Sequence, residues 1–209
     1  MAEDDTSNPI SRVTERVVPL DVVKREKSAA VESRLTQVRR ALTSLVASAE
    51  SVPLQHRVNF PVTGVGELRT GSLRQFNLVD EDGEQGRGFT MRYAHVGNQP
   101  LKHVTSSEHA HKAVRKTLYA YGLDFRSAGS DTAYRIEVRP LVPAWISVLI
   151  AADGKTIDIT LNNVSVLGAT TYRVAPDHVD RRLVDALVEL VTTGARTFYE
   201  IVASLPRRR

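Results

Sequence analysis

Between residues 25 and 50, apolar side chains recur at alternating steps of four and three: Val31, Leu35, Val38, Leu42, Leu45 and Ala49. That spacing holds one seam on one side of a helix, so the segment is expected to be helical and packed along that stripe. The pattern lasts about three heptads, which is short for an autonomous coiled coil. The seam then has two expected partners, the protein's own sheet or another chain. Pro53 closes the element.

The period then changes to two. "HRVNFPV" (56–62), "ELRTGSLRQFNLV" (67–79) and "FTMRYAHV" (89–96) read as strands, with Phe89, Met91, Tyr93 and His95 on one face. The acidic "DEDGEQGRG" between the last two reads as an exposed hairpin loop. "PLKHV" (100–104) adds a short strand. In the second half "AYRIEVRPL" (133–141) and "TIDITLN" (156–162) alternate again, and Asn162-Asn163 reads as a turn or strand end. "AWISVLIAA" (144–152) is apolar on both faces and is expected to be a central strand covered on both sides. "VSVLGATTYRV" (164–174) is one strand or two, broken at Gly168.

Two more helices are expected. In "TSSEHAHKAVRK" (105–116), Thr105 and Glu108 form a Thr-x-x-Glu capping box, Val114 and Leu118 lie on an apolar stripe, and Gly122 is a stop signal. The last helix is expected to start at Asp177, with Asp180 in its first turn, and to run to Pro206. The order is helix, strands, helix, strands, helix, and the connections between strands are short. This argues an α+β fold with antiparallel sheet of about eight strands packed with three helices. Two arrangements fit: a curved sheet around the long C-terminal helix, or two βββ(β)α halves. The expected organisation is a tail (1–24) carrying the apolar patch "VVPLDVV", one α+β domain (25–206) and a basic end (207–209).

Composition narrows the chemistry. Of 209 residues, 42% are hydrophobic and only 6% aromatic, enough for a core dominated by aliphatic side chains. There are no cysteines, which removes disulfides, thiolate metal sites and cysteine nucleophiles. The opening "MAEDDTSNP" lacks the apolar stretch of a secretory signal, and the longest apolar run is too short for a membrane span. A cytoplasmic protein with no membrane contact is expected. The net charge of +4 is compatible with nucleic-acid binding without requiring it.

No nucleotide-binding loop, nucleophile elbow or zinc motif is present in the sequence. His109 and His111 diverge by about 200° on a helix, so no metal and no other cofactor is expected. Three sets of residues remain as candidate sites. His111, Lys112, Arg115 and Lys116 read as a basic helix face, which Arg181, Arg182, Arg207, Arg208 and Arg209 would extend into a phosphate-contacting surface. Leu35, Val38, Leu42 and Leu45, with Val17, Val18 and Leu20 in the tail, would form a partner-binding surface. Tyr93, His95, Trp145 and Tyr172 would line a pocket between sheet and last helix. The leading expectation is a non-catalytic binding or scaffold subunit acting through a protein partner or self-association. The alternatives are a nucleic-acid-binding protein and a small-molecule pocket protein or enzyme.

Overall fold

Helix α1 (Leu20–Ser51) carries the seam, and its first five residues extend it back into the segment expected to be tail. In the computed structural model the backbone is described for residues 20–83, 86–130 and 132–206, and side chains for 29–82, 87–130 and 132–206. Val17, Val18 and Arg207 to Arg209 lie outside the described residues, as does the side chain of Leu20.

Nine strands follow among the described residues: β1 (Leu54–Val62), β2 (Gly66–Gly83), β3 (Gly86–Val96), β4 (Leu101–Thr105), β5 (Phe125–Gly129), β6 (Tyr134–Val138), β7 (Leu141–Ile150), β8 (Ile157–Asn162) and β9 (Ala169–Val174). Helix α2 (Glu108–Ala120) lies between β4 and β5, and α3 (Arg181–Thr193) and α4 (Thr197–Ser204) end the fold. All the pairings are antiparallel. Six strands form one curled sheet in the order β1-β2-β3-β7-β8-β9, and three form a second in the order β4-β6-β5. Two meanders, β1–β3 and β7–β9, thus meet at a central β3–β7 pair.

The strand period decides what the helices cover. Phe89, Met91 and Tyr93 on β3, with Ala144, Ile146 and Val148 on β7, turn to one face and are buried there. The α1 seam packs on that face: Leu35, Val38, Leu42 and Leu45 are only 8%, 1%, 0% and 6% exposed. Burial of each such side chain contributes about 1.5–3 kcal/mol. The apolar side of α3 completes this core through Leu183, Leu187 and Leu190. The opposite face is more polar than expected. Along one row Val79, Thr90, Ser147, Thr160 and Thr171 stand side by side, with hydroxyl contacts Thr90–Ser147 (3.1 Å) and Thr160–Thr171 (2.8 Å). Strand β7 is therefore covered by helices on one face and carries hydroxyl and amide neighbours on the other.

A second core joins the β1–β2 hairpin to α2 and the three-stranded sheet through Phe60, Leu68, Val114, Leu118, Ile136 and Val138. Here the expected cap shifts by two residues. Ser107 is the N-cap and accepts from the Ala110 amide at 3.2 Å, while Thr105 is the last residue of β4 and pairs with Tyr134. Thr105 instead accepts from the Ser107 amide. Gly122 closes α2 at φ 67°, with Leu123 N–H bonded to the Leu118 carbonyl, as the sequence predicts.

The single long C-terminal helix is corrected. Pro176–His178 is a separate 3-10 turn, and α3 begins after Asp180, whose carboxylate accepts from the Leu183 amide at 2.8 Å. Gly194 adopts φ 74° and turns the chain into α4.

Asn163 ties the two cores together. It is fully buried in the left-handed region at φ 52°. Its side-chain amide donates to the carbonyls of Tyr121 and Pro143, each at 2.9 Å, and its oxygen accepts from Gly168 N–H at 2.8 Å. The loop after β8, the end of α2 and strand β7 thus meet at one side chain.

Candidate functional site

Strand β9 is an edge of the six-stranded sheet, bonded to β8 on one side only. Its other side presents main-chain N–H and C=O groups for pairing. Ala169, Thr170, Thr171 and Arg173 are exposed along it. The other edge of that sheet, β1, carries Pro61 and a register shift between Gln55 and Val58. Both features discourage a further strand. The β9 register runs through six pairs without a shift and contains no proline. Its only charge, Arg173, is held by Asp158 through two hydrogen bonds of 2.8 Å.

Helix α4 lies alongside this edge. The Tyr172 ring meets Phe198 edge-on at 5.6 Å and Tyr199 at 6.3 Å. Ser165 and the Tyr199 hydroxyl are 2.7 Å apart, which fixes the loop before β9 to the helix. Between strand and helix lie two recesses. One, of about 370 Å³, is bordered by Thr170 and Tyr172 on β9 and by Arg196 and Tyr199. The other, of about 520 Å³, is bordered by Arg173 and Ala175 and by Val202 and Leu205. Together they follow the strand along much of its length. Tyr199, Ile201, Val202 and Leu205 of this region are only partly buried.

Behind the first recess stands a buried polar cluster. Gly194 and Val164 border the recess. A Cβ on Gly194 would stand 2.6 Å from His56 Nε2. Burial holds His56 below the usual histidine range, opposed by the nearby main chain of Val191 near the end of α3. The His95 ring centre is 5.9 Å from that of His56, 5.4 Å from Tyr93 and 5.0 Å from Phe60. His95 is fully buried, and neither ring nitrogen has a hydrogen-bond partner. Burial, and then the neighbouring His56, push its pKa down to about 3. The main chain of Asn163 and Val164 opposes that shift without reaching hydrogen-bond geometry. The Tyr93 hydroxyl is also unpartnered, and burial raises its pKa.

The candidate residues from sequence separate accordingly. Tyr93 and His95 are interior, Tyr172 borders the recess, and Trp145 lies on the opposite sheet face between Arg92 and Asn162. Those four therefore do not line one pocket. Leu35, Val38, Leu42 and Leu45 are covered by the protein's own sheet and α3, so the seam is not a free docking surface.

On α2, His111 turns inward rather than joining the basic face. It is 7% exposed, 2.7 Å from the Ser127 hydroxyl, and stacked on Tyr134 at 4.8 Å. Lys112 is paired with Glu108 at 2.7 Å, Arg115 is partly buried, and Lys116 is exposed. Arg181 and Arg182 are exposed at the start of α3, where Asp180, Asp185 and Glu189 stand among them. The α2 and α3 cations thus belong to helices on different cores.

Among the described residues no three metal-ligating side chains gather, and no helix is long and apolar enough to cross a membrane. The chain matches no protein-family model, no curated protein and no solved structure.

Proposed function

We propose that this chain is a non-catalytic protein-binding module that receives an extended polypeptide segment at β9. The segment adds to the sheet as a further strand, and every second side chain enters the groove between β9 and α4. Main-chain hydrogen bonds supply affinity in this mode, and the flanking recesses supply selectivity. The observation that carries the reading is the pairing of an unprotected edge strand with a helix-walled groove along it. Arg196 at one end of the groove presents hydrogen-bond donors to a polar side chain there. The half-buried Val202 and Leu205 at the other end favour an apolar one.

The test is an array of 12-residue peptides, roughly the length that covers a strand and its flanks, followed by alternate N-methylation of the best binder. Strand addition uses the N–H groups on only one edge of the peptide. Methylation at one set of alternate positions should abolish binding, while the complementary set leaves it within a few-fold. Equal loss from both sets, or from neither, would contradict the reading.

A further inference from the structure

We infer that the strand received at β9 is the β9 of a second copy of this chain. This rests on the strand-addition reading and names its partner. An antiparallel pair about a twofold axis normal to the sheet keeps each face on its own side, so only registers that match face with face are allowed. One such register sets Thr171 opposite Thr171 of the second copy. The pairs beside it are then Thr170 with Tyr172 and Ala169 with Arg173. No like charges face each other, and Arg173 keeps its Asp158 partner on β8.

Two features favour this occupant over a foreign strand. The hydroxyl row that ends at Thr171 would continue across the axis through a Thr–Thr pair, a favourable cross-strand combination. The same operation sets the two α4 helices on one side of the joint, where their partly exposed Ile201, Val202 and Leu205 gain cover. Strand pairing of six residues is small for a stable interface, and the helices supply the further apolar area. The two six-stranded sheets become one continuous sheet.

The experiment is light scattering over a hundredfold concentration range on wild type, Thr171→Lys, Thr171→Glu and their equimolar mixture, with circular dichroism to establish that each variant is folded. Thr171 is exposed, so the changes leave the core untouched. The wild type is expected to shift from monomer to dimer as concentration rises. Each single variant should weaken dimerisation at least tenfold by placing like charges at the axis. The mixture should restore a dimer that contains one chain of each kind. A wild type that stays monomeric yet binds an arrayed peptide in the N-methylation pattern above overturns self-pairing and leaves strand addition standing. A dimer indifferent to both variants also overturns it, because the contact then lies elsewhere. A monomer that binds no peptide overturns both.

Discussion

Replacing Asn163 by alanine tests how the two cores are held together. The change removes three side-chain hydrogen bonds at 2.8–2.9 Å, leaving the Tyr121 and Pro143 carbonyls and the Gly168 N–H without those partners. Each orphaned group in such a site costs about 1–2 kcal/mol, giving a loss of about 3–6 kcal/mol for the three. Alanine also tolerates the left-handed backbone less well, at φ 52°, which adds about 1 kcal/mol. The total is a large fraction of the roughly 5–15 kcal/mol that holds a domain folded. Asn163→Gly separates the contributions, because glycine accepts that φ while losing the same hydrogen bonds. Urea unfolding followed through Trp145, the only tryptophan, gives both values. Alanine should be the least stable, glycine about 1 kcal/mol better, and both well below wild type. Hydrogen exchange should rise first at the Asn163–Gly168 turn and the end of α2. A loss below about 1 kcal/mol for Asn163→Ala would refute the linking role assigned to this side chain.

Three further predictions concern the buried histidines His95 and His56 and the start of α2. The folded-state pKa of His95 is depressed, so the unfolded chain takes up that proton first. Its contribution to stability is fully present above about pH 6.5 and is lost as pH falls toward about 3. At pH 5 the loss is about 2 kcal/mol. His95→Leu should flatten this part of the stability–pH curve while changing stability at pH 7 by less than about 1 kcal/mol, because no hydrogen bond is removed. An unchanged slope in urea titrations at pH 7, 6 and 5 would count against the buried neutral histidine. Gly194→Ala should cost about 2 kcal/mol or more, combining the strained φ of 74° with the collision at His56. Adding His56→Ala should recover part of that cost, and strict additivity in the double-mutant cycle would exclude the contact. Ser107→Ala should destabilise by about 1 kcal/mol and Thr105→Ala by less, the reverse of what the capping-box spacing implies.

The α1 seam was legible because an alternation of four and three encodes one helix face regardless of what covers it. What covers it was not legible, since the same stripe suits a sheet or another chain. Strands β1, β3, β6 and β8 declare themselves by alternation and β7 by an unbroken apolar run, but their order is not legible in this way. The edge position of β9 follows from which strands pair, a non-local property that "ATTYRV" cannot carry alone. The break at Gly194 was obscured because apolar positions continue on both sides of it. His111 had a readable signal: it precedes Val114 and Leu118 by three and seven residues, the spacing of the buried stripe. Its adjacency to Lys112 drew it into the basic face instead. His56 carried no local signal, since its significance depends on Gly194 and His95, which are distant in the chain.

The most direct test of the central claim is residue-resolved amide hydrogen exchange across Ala169–Val174, first in the dilute monomer and then with its strand partner bound. The account predicts alternation: amides directed at β8 are slow throughout, and the intervening ones are fast in the monomer and slow in the complex. Uniform protection in the monomer, or open-edge amides that stay fast in the complex, would contradict it.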